Sequence, residues 1–498
     1  MIARAVPKKL AIAALVAGIA FFVCLTPVGG GDTWWYLATG RFIEATGRVP
    51  MTDPFSYTAP GVPWINPEWL TNLIFFLSAR AWGFEALFAL KVATVAATLL
   101  LLFRRMRRRC SGDAEALLGV ALVAIGISAF LDIRAQLFTF LLTLLTLELA
   151  DAPLPLAAKA SLMTILTALW ANLHGGFALA FPLLGLQFPA FFLSRTSSEI
   201  TGTRPATTAT LLLAAFAGSL LTPYGLRIYE NSLSYIRLLA GILSGSEILA
   251  IPQTLEWISP LQTDIPGFLS PAFWVVLPLL AVLLVRGRER FRASDVLLAA
   301  VTGALALTSR RFIPLFFLTT GDLFAGIPAS VPDRVRRNLA VAALACALAF
   351  LGVTKAPDLF AARSHGFFSH TTAEATFPAR ACAFLRERGL SGRILNRYNW
   401  GGFLTWNLFP PSTVFVDGRA HTVYPPEILL ERDAAAEGQD WEDICRRRGV
   451  EIMVLSPWFQ KRLVTLANAS GAWRIVFEDD VSVVLVRNDA AAPQERRR

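Results

Sequence analysis

The carboxylates of Asp32, Asp53 and Glu68 share the stretch from Gly31 to Leu70 with six Trp and Tyr side chains. A carboxylate held against aromatic rings beside a membrane loses hydration, and its pKa rises toward the range of a general base. Asp32 has that setting, flanked by Gly31 and followed by Trp34 and Trp35. The same residue could simply cap the helix that begins at Trp34. Two acids can divide labour, one taking a proton and the other orienting a hydroxyl or a divalent metal. Asp53, which opens Thr52-Asp53-Pro54, and Glu68 are the candidates for the second acid, and each also suits a helix cap or a first-turn position. Trp34 and Trp35 are amphipathic and suited to headgroup level, where they would meet an acceptor. No cofactor is required by these residues, and the metal question stays open.

A second set is cationic. Arg310 and Arg311 follow Ser309, and Arg134 follows Asp132 by two. A guanidinium fork pairs with phosphate bidentately, which makes these arginines candidates for an anionic ligand. The competing reading pairs them with Asp132 or Glu256. His174 ends the run Trp170-Ala171-Asn172-Leu173-His174-Gly175-Gly176. It is either a satisfied core histidine or part of the same site, with glycines that allow close approach. A third set lies in NRYNWGGFLTW and VFVDGRAHTVY. There Asn399, Trp400, Asp417, Arg419, His421 and Tyr424 could bind an acceptor, while Gly401, Gly402 and Gly418 could serve packing and turns.

The elements that must position these residues are mostly membrane helices. Of the 498 residues, 55% are hydrophobic and 16% charged. The mean hydropathy is +0.53. A soluble chain carries roughly 25% charged residues. The net charge of +10 comes from arginines clustered between apolar runs. That pattern reads as topology signals and not as a nucleic-acid surface. Five cysteines without a CxxC spacing make a zinc site or a disulfide framework an unneeded assumption, although Cys382 and Cys445 could pair in an oxidising compartment. Lys8 and Lys9 precede an apolar run that reads as an uncleaved first span.

Apolar runs near 10–27, 84–103, 114–131, 135–150, 159–173, 176–193, 207–222, 271–285, 294–308, 312–327 and 338–354 predict about eleven spans. With that count, Lys8-Lys9, Arg104 to Arg109, Lys159, Arg195 with Arg204, Arg286 to Arg292 and Arg334 to Arg337 share the cytoplasmic side. Asp32, Asp53, Glu68, Arg134, His174, Arg310 and Arg311 then fall on the outer side, as does everything after Lys355. Ionisable residues at span ends usually face a polar cavity. From about Phe377 short apolar strands alternate with helices: a helix over 376–388, strands over 393–397, 414–417 and 451–455, a helix over 441–448, and a hairpin over 473–487. The expected fold is a polytopic α-helical membrane protein, residues 1–355 including a first outer loop at 28–83, with a soluble extracytoplasmic α/β domain over 356–498 that ends in a disordered tail.

One span, an acid at the outer face in a long folded loop, many further spans and a C-terminal domain together resemble the GT-C glycosyltransferase superfamily. The runs GDTWWYLATGRFI, VPMTDPFSYT, PWINPEWL, ANLHGGF, NRYNWGGFLTW and VFVDGRAHTVY are also similar to a group of uncharacterised bacterial proteins placed beside GT-C. The resemblance implies a sugar taken from a polyprenyl-phosphate donor in the bilayer and passed to an acceptor on the outer face of a bacterial inner membrane. It implies Asp32 as base and Asp53 or Glu68 as second acid. No close acidic pair flanks Asp32, which departs from the superfamily's pattern. The competing class is a non-catalytic transporter or assembly partner for envelope polysaccharide. A transporter would place polar residues at mid-membrane in paired halves, whereas here they gather at one face.

Overall fold

The computed structural model describes residues 7–27, 29–110, 112–193, 205–244, 255–262, 271–286, 291–323 and 332–488. Long runs of Leu, Ala, Val and Phe can satisfy their backbone in lipid only by coiling into helices. In chain order these are α1 (Lys8–Cys24), α2 (Asp32–Thr46), α3 (Trp69–Trp82), α4 (Glu85–Arg107), α5 (Asp113–Ile127), α6 (Gln136–Asp151) and α7 (Leu156–Leu173). They continue with α8 (Ala180–Gly185), α9 (Gln187–Leu193), α10 (Pro205–Ser219), α11 (Ile228–Ser244), α12 (Pro271–Arg286), α13 (Ala293–Thr308), α14 (Ile313–Thr320), α15 (Asp333–His365) and α16 (Phe367–Thr371). Beyond these lie α17 (Ala379–Glu387), β1 (Arg393–Asn396), α18 (Gly401–Leu408), β2 (Thr413–Val414), α19 (Pro426–Ala436), α20 (Trp441–Arg448), β3 (Ile452–Leu455), α21 (Lys461–Ala469), β4 (Trp473–Glu478) and β5 (Val483–Arg487).

The chain forms two compact units. One comprises Met1–Val28, Trp82–Ile228 and Gln253–Thr371; the other comprises Gly29–Ala81, Tyr229–Pro252 and Thr372–Arg498. This differs from the division by composition at 355/356. Helix α15 runs unbroken through Lys355 to His365, and the first loop groups with the C-terminal part.

Among the described residues of the helical unit, five helices are long and apolar enough to cross a membrane: Glu85–Arg107, Asp113–Phe130, Leu156–Leu173, Gly175–Phe192 and Asp333–His365. Pro205–Ser219, Ala272–Val282 and Ala293–Thr308 are shorter apolar helices. The eleven predicted spans therefore exceed what length and composition alone support among the described residues. Lipid supplies no hydrophobic drive for helices to associate, so close packing and polar contacts do the work. Helices α7 and α10 show both. A Cβ on Gly218 would lie 2.3 Å from the Thr164 carbonyl oxygen, and Thr164 Oγ1 donates to the Ala214 carbonyl at 3.2 Å.

The basic clusters gather at one end of this bundle. Lys8 and Arg107 both pair with Asp113 at 2.6 Å. Arg105 pairs with Glu148 at 3.0 Å, Arg109 with Asp295 at 2.8 Å and Arg336 with Glu115 at 3.0 Å. Lys159 donates to the Ala150 carbonyl at 2.9 Å. Arg195 and Arg204 lie outside the described residues. Toward the other end, buried Lys91 donates to the Cys24 carbonyl at 2.8 Å, placing a cation at the C-terminus of α1, where the helix dipole is negative.

The second unit is built on a five-stranded sheet of order β2-β1-β3-β5-β4. Strands β2, β1 and β3 are parallel, while β5 runs antiparallel to both β3 and β4. The strand expected over 414–417 is paired only at Thr413 and Val414. Beyond them Phe415 N–H is shared between Ile394 O at 2.9 Å and Asn396 Oδ1 at 3.0 Å, and the Asn396 side chain then donates to the Val416 carbonyl at 2.9 Å. The first loop extends the β2 edge: Val414 N–H donates to Phe55 O at 3.2 Å and Tyr57 N–H to Val414 O at 3.3 Å. Helix α20 ends at Gly449 with φ of 63°, as its sequence predicts. All five cysteines are free, so Cys382 and Cys445 do not pair.

Candidate functional site

Asp32 is the first residue of α2, after Gly31. Its Oδ1 accepts from Trp35 Nε1 at 3.1 Å, one helical turn on, which fixes the carboxylate against an indole. The group is half-buried. It rests on the backbone of Gly418: a Cβ there would lie 2.0 Å from Asp32 Oδ1. Two further glycines make room for the same helix and its support. A Cβ on Gly402 would lie 2.9 Å from Gly31 O and 3.0 Å from Trp35 N, and one on Gly401 would lie 2.0 Å from Val416 O. The NWGG and DGR runs are thus the seat of α2. Gly418→Ala forces Asp32 out of this seat. Its expected cost is about 1–3 kcal/mol of stability, measured by thermal unfolding of the purified protein, together with a displaced Asp32.

Trp34 and Trp35 are 1% and 6% exposed. Trp34 packs edge-on against Phe403 at 4.8 Å and Phe377 at 5.9 Å, and Trp35 against Tyr36 and Trp64. The headgroup placement expected for the pair is therefore replaced by a place in the core of this unit. The reason is the hydrophobic face that α18 offers to α2.

Asp53 and Asp417 flank Arg419, and all three are buried. Arg419 Nη1 donates to Asp53 Oδ1 at 2.6 Å. Its Nε donates to Asp417 Oδ1 at 2.8 Å and its Nη2 to Asp417 Oδ2 at 2.8 Å. Asp53 also accepts from Phe55 N–H at 2.9 Å and from the Ser56 hydroxyl. The guanidinium lies 4.7 Å from the Trp64 ring centroid and donates to Tyr424 Oη at 3.3 Å. Burial alone would lower the Arg419 pKa; Asp417 and Asp53 outweigh it and hold the group well above its ordinary value. One guanidinium here offsets two carboxylates, and the cluster stitches the first loop to the loop after β2. Glu68 sits just before α3, its N–H donating to Asn66 Oδ1 at 3.0 Å. Asn399 is exposed. The side chain of His421 lies outside the described part. Among the described residues, no three His, Cys, Asp or Glu side chains gather to hold a metal. Asp53 and Asp417 both serve Arg419, so a divalent ion does not fit this set.

The helical unit holds the cationic set. Glu256 bridges Arg134 and Arg311: Arg134 Nη1 donates to Oε1, and Arg311 Nη1 to Oε2 at 3.5 Å. Burial would raise the Glu256 carboxyl, but the charges of Arg134 and Arg311 hold it below the usual range. Arg311 also lies 5.0 Å from the Trp257 ring centroid. Arg310 is different. It is 0% exposed, and its Nη2 donates to the Gln262 carbonyl at 3.0 Å. Its Nε and Nη1 have no hydrogen-bond partner among the described residues. Such an arginine carries an unmet demand for acceptors.

His174 is buried in the same unit. Gly176 N–H donates to its Nδ1 at 3.0 Å, and the Thr139 hydroxyl lies 2.7 Å from the same atom. The ring proton is therefore on Nε2. Burial, with Arg311 and Arg134 nearby, pushes its pKa down to about 3, so the ring is neutral at physiological pH. A Cβ on Gly176 would lie 2.5 Å from Thr139 Oγ1; this glycine makes room for the unit's own side chains. Thr139, one of three threonines in the apolar run of α6, gave no sequence signal for its role.

No protein-family model matches the chain, and no curated protein does. Solved structures do match. One is archaeal oligosaccharyltransferase AglB from Archaeoglobus fulgidus, in complex with an inhibitory peptide and a dolichol-phosphate. The TM-score is 0.54 at 13% identity, over 90% of this chain and 69% of that one. The fold resembles that of an archaeal oligosaccharyltransferase. The Archaeoglobus fulgidus oligosaccharyltransferase in its apo form gives a TM-score of 0.57, with the same identity and coverage. At 13% identity the likeness is one of fold.

Proposed function

We propose that this chain is a membrane glycosyltransferase that moves a sugar from a polyprenyl-phosphate donor to an envelope glycan, lipid or protein acceptor. The observation that carries the reading is Arg310, a buried guanidinium whose Nε and Nη1 find no acceptor among the described residues. The fold likeness supports it, because AglB has been captured with a dolichol-phosphate. Arg310 holds the donor phosphate, and Arg311, Arg134 and neutral His174 shape the surrounding field, the two arginines balanced by Glu256. Asp32 takes the proton from an acceptor hydroxyl. The hydroxyl oxygen attacks the sugar C1, the C1–O bond to phosphate breaks, and polyprenyl phosphate leaves with the electron pair. Asn399 belongs to the acceptor side. Asp53, Asp417 and Arg419 act as a strut for the loop that carries Asp32. On this reading the protein belongs to a bacterial inner membrane, with its basic clusters cytoplasmic and its C-terminal part outside.

Arg310→Lys keeps the charge and loses the planar fork. It is expected to weaken polyprenyl-phosphate binding by roughly tenfold or more, the worth of a charge-assisted hydrogen bond. Titration of polyprenyl phosphate into the nanodisc-embedded protein checks this. Unchanged binding in Arg310→Lys would remove the donor-site assignment.

A further inference from the structure

Strand order reverses at β1. The chain passes from β1 outward to β2 and then crosses to β3 on the other side, with all three strands parallel. In open α/β sheets such a reversal opens a crevice at the carboxyl ends of the two strands beside it, because their connections leave in opposite directions. Here Arg397-Tyr398-Asn399 follow β1, and Ser456-Pro457-Trp458-Phe459-Gln460 follow β3. The two loops meet where the Arg397 guanidinium lies 3.8 Å from the Phe459 ring centroid. Trp400 flanks it at 5.5 Å. Trp458 is 77% exposed and Phe459 72%.

These exposed rings are held in place. Ser456 N–H donates to Gln460 Oε1 at 3.2 Å, and Phe459 N–H to Ser456 Oγ at 3.3 Å. Trp458 Nε1 donates to the Asp480 carbonyl at 3.0 Å. The indole is a fixed plate presented to solvent. The stacked guanidinium keeps its in-plane N–H edges for acceptors, and the exposed Asn399 amide adds both a donor and an acceptor.

We infer that this edge is a carbohydrate-binding platform and, resting on the glycosyl-transfer reading, that the acceptor it seats is a glycan. A pyranose ring presents an apolar C–H face and a rim of hydroxyls. The first matches the Trp458 plate, the second Arg397 and Asn399. Lys461 and Arg462 next door would also suit anionic lipid. A tryptophan at the bilayer interface, however, uses its N–H among the headgroups, and this one is already given to Asp480.

The test uses full-length protein in nanodiscs, without donor, on an array of hexose, pentose and amino-sugar oligosaccharides, with affinities for the bound ones measured by saturation-transfer NMR. Trp458→Ala is expected to weaken binding by roughly tenfold or more, the scale of one aromatic stack and the area it covers, while Trp458→Phe stays near wild type. No binding by the wild type, or equal binding by Trp458→Ala, overturns the platform. So does quenching by brominated lipid of the emission lost in Trp458→Phe, which would mark a membrane anchor. A protein that binds glycan here but transfers no sugar sinks the glycosyltransferase reading and leaves the platform standing.

Discussion

Asp32→Asn is expected to lower sugar transfer by at least ~100-fold, the usual worth of a positioned base, in a protein that still folds. The second half of that statement follows from the geometry. Asparagine has the same shape, so the seat on Gly418 is kept. Its side-chain oxygen can still accept from Trp35 Nε1, the bond seen at 3.1 Å. What disappears is the group able to take a proton. The measurement is transfer from a polyprenyl-phosphate-linked sugar in nanodiscs, with thermal unfolding as the control. Glu68→Gln is the comparison. Full activity in Asp32→Asn with loss in Glu68→Gln would hand the role of base to Glu68.

The helices were legible because apolar runs of this length have few alternatives in lipid, and the C-terminal strands because their residues are apolar and bounded by turns. The gathering of basic clusters was legible for the same kind of reason: Lys8 and Arg107 share Asp113, Arg105 and Arg108 share Glu148, and Arg105 and Arg109 share Asp322. What could not be read was which elements a loop would join. Nothing local in Thr52-Asp53-Pro54 shows that its carboxylate meets an arginine 366 positions away. The three glycines 401, 402 and 418 read as packing and turn positions, but not as the seat of α2. Trp34 and Trp35 fit both a headgroup layer and a core by composition; the facing Phe377 and Phe403 settle it, and they are distant in sequence. Arg397 and Phe459 were passed over because neither forms a motif until the sheet order brings β1 and β3 together.

The largest loss of stability is expected from Arg419→Met. It removes the only cation contacting Asp53 and Asp417 among the described residues, leaving two carboxylates buried and opposed. Breaking a buried ion pair from one side costs about 3–5 kcal/mol, most of it the stranded charge. Hydrogen exchange should show this locally, as faster exchange at 52–58 and 413–417, where the first loop lies along β2. Arg419→Lys should fall between, because one ammonium cannot bond both Asp417 oxygens and Asp53 in the plane that the fork uses. The triple variant Asp53→Asn, Asp417→Asn, Arg419→Met should recover much of the loss, since a neutral cluster strands no charge. The series also decides what Asp53 does. As a strut, Asp53→Asn lowers activity only in step with the folded fraction. If it instead abolishes transfer while exchange at 52–58 stays at the wild-type rate, Asp53 is a catalytic acid after all, and its partnership with Arg419 is a way of tuning it.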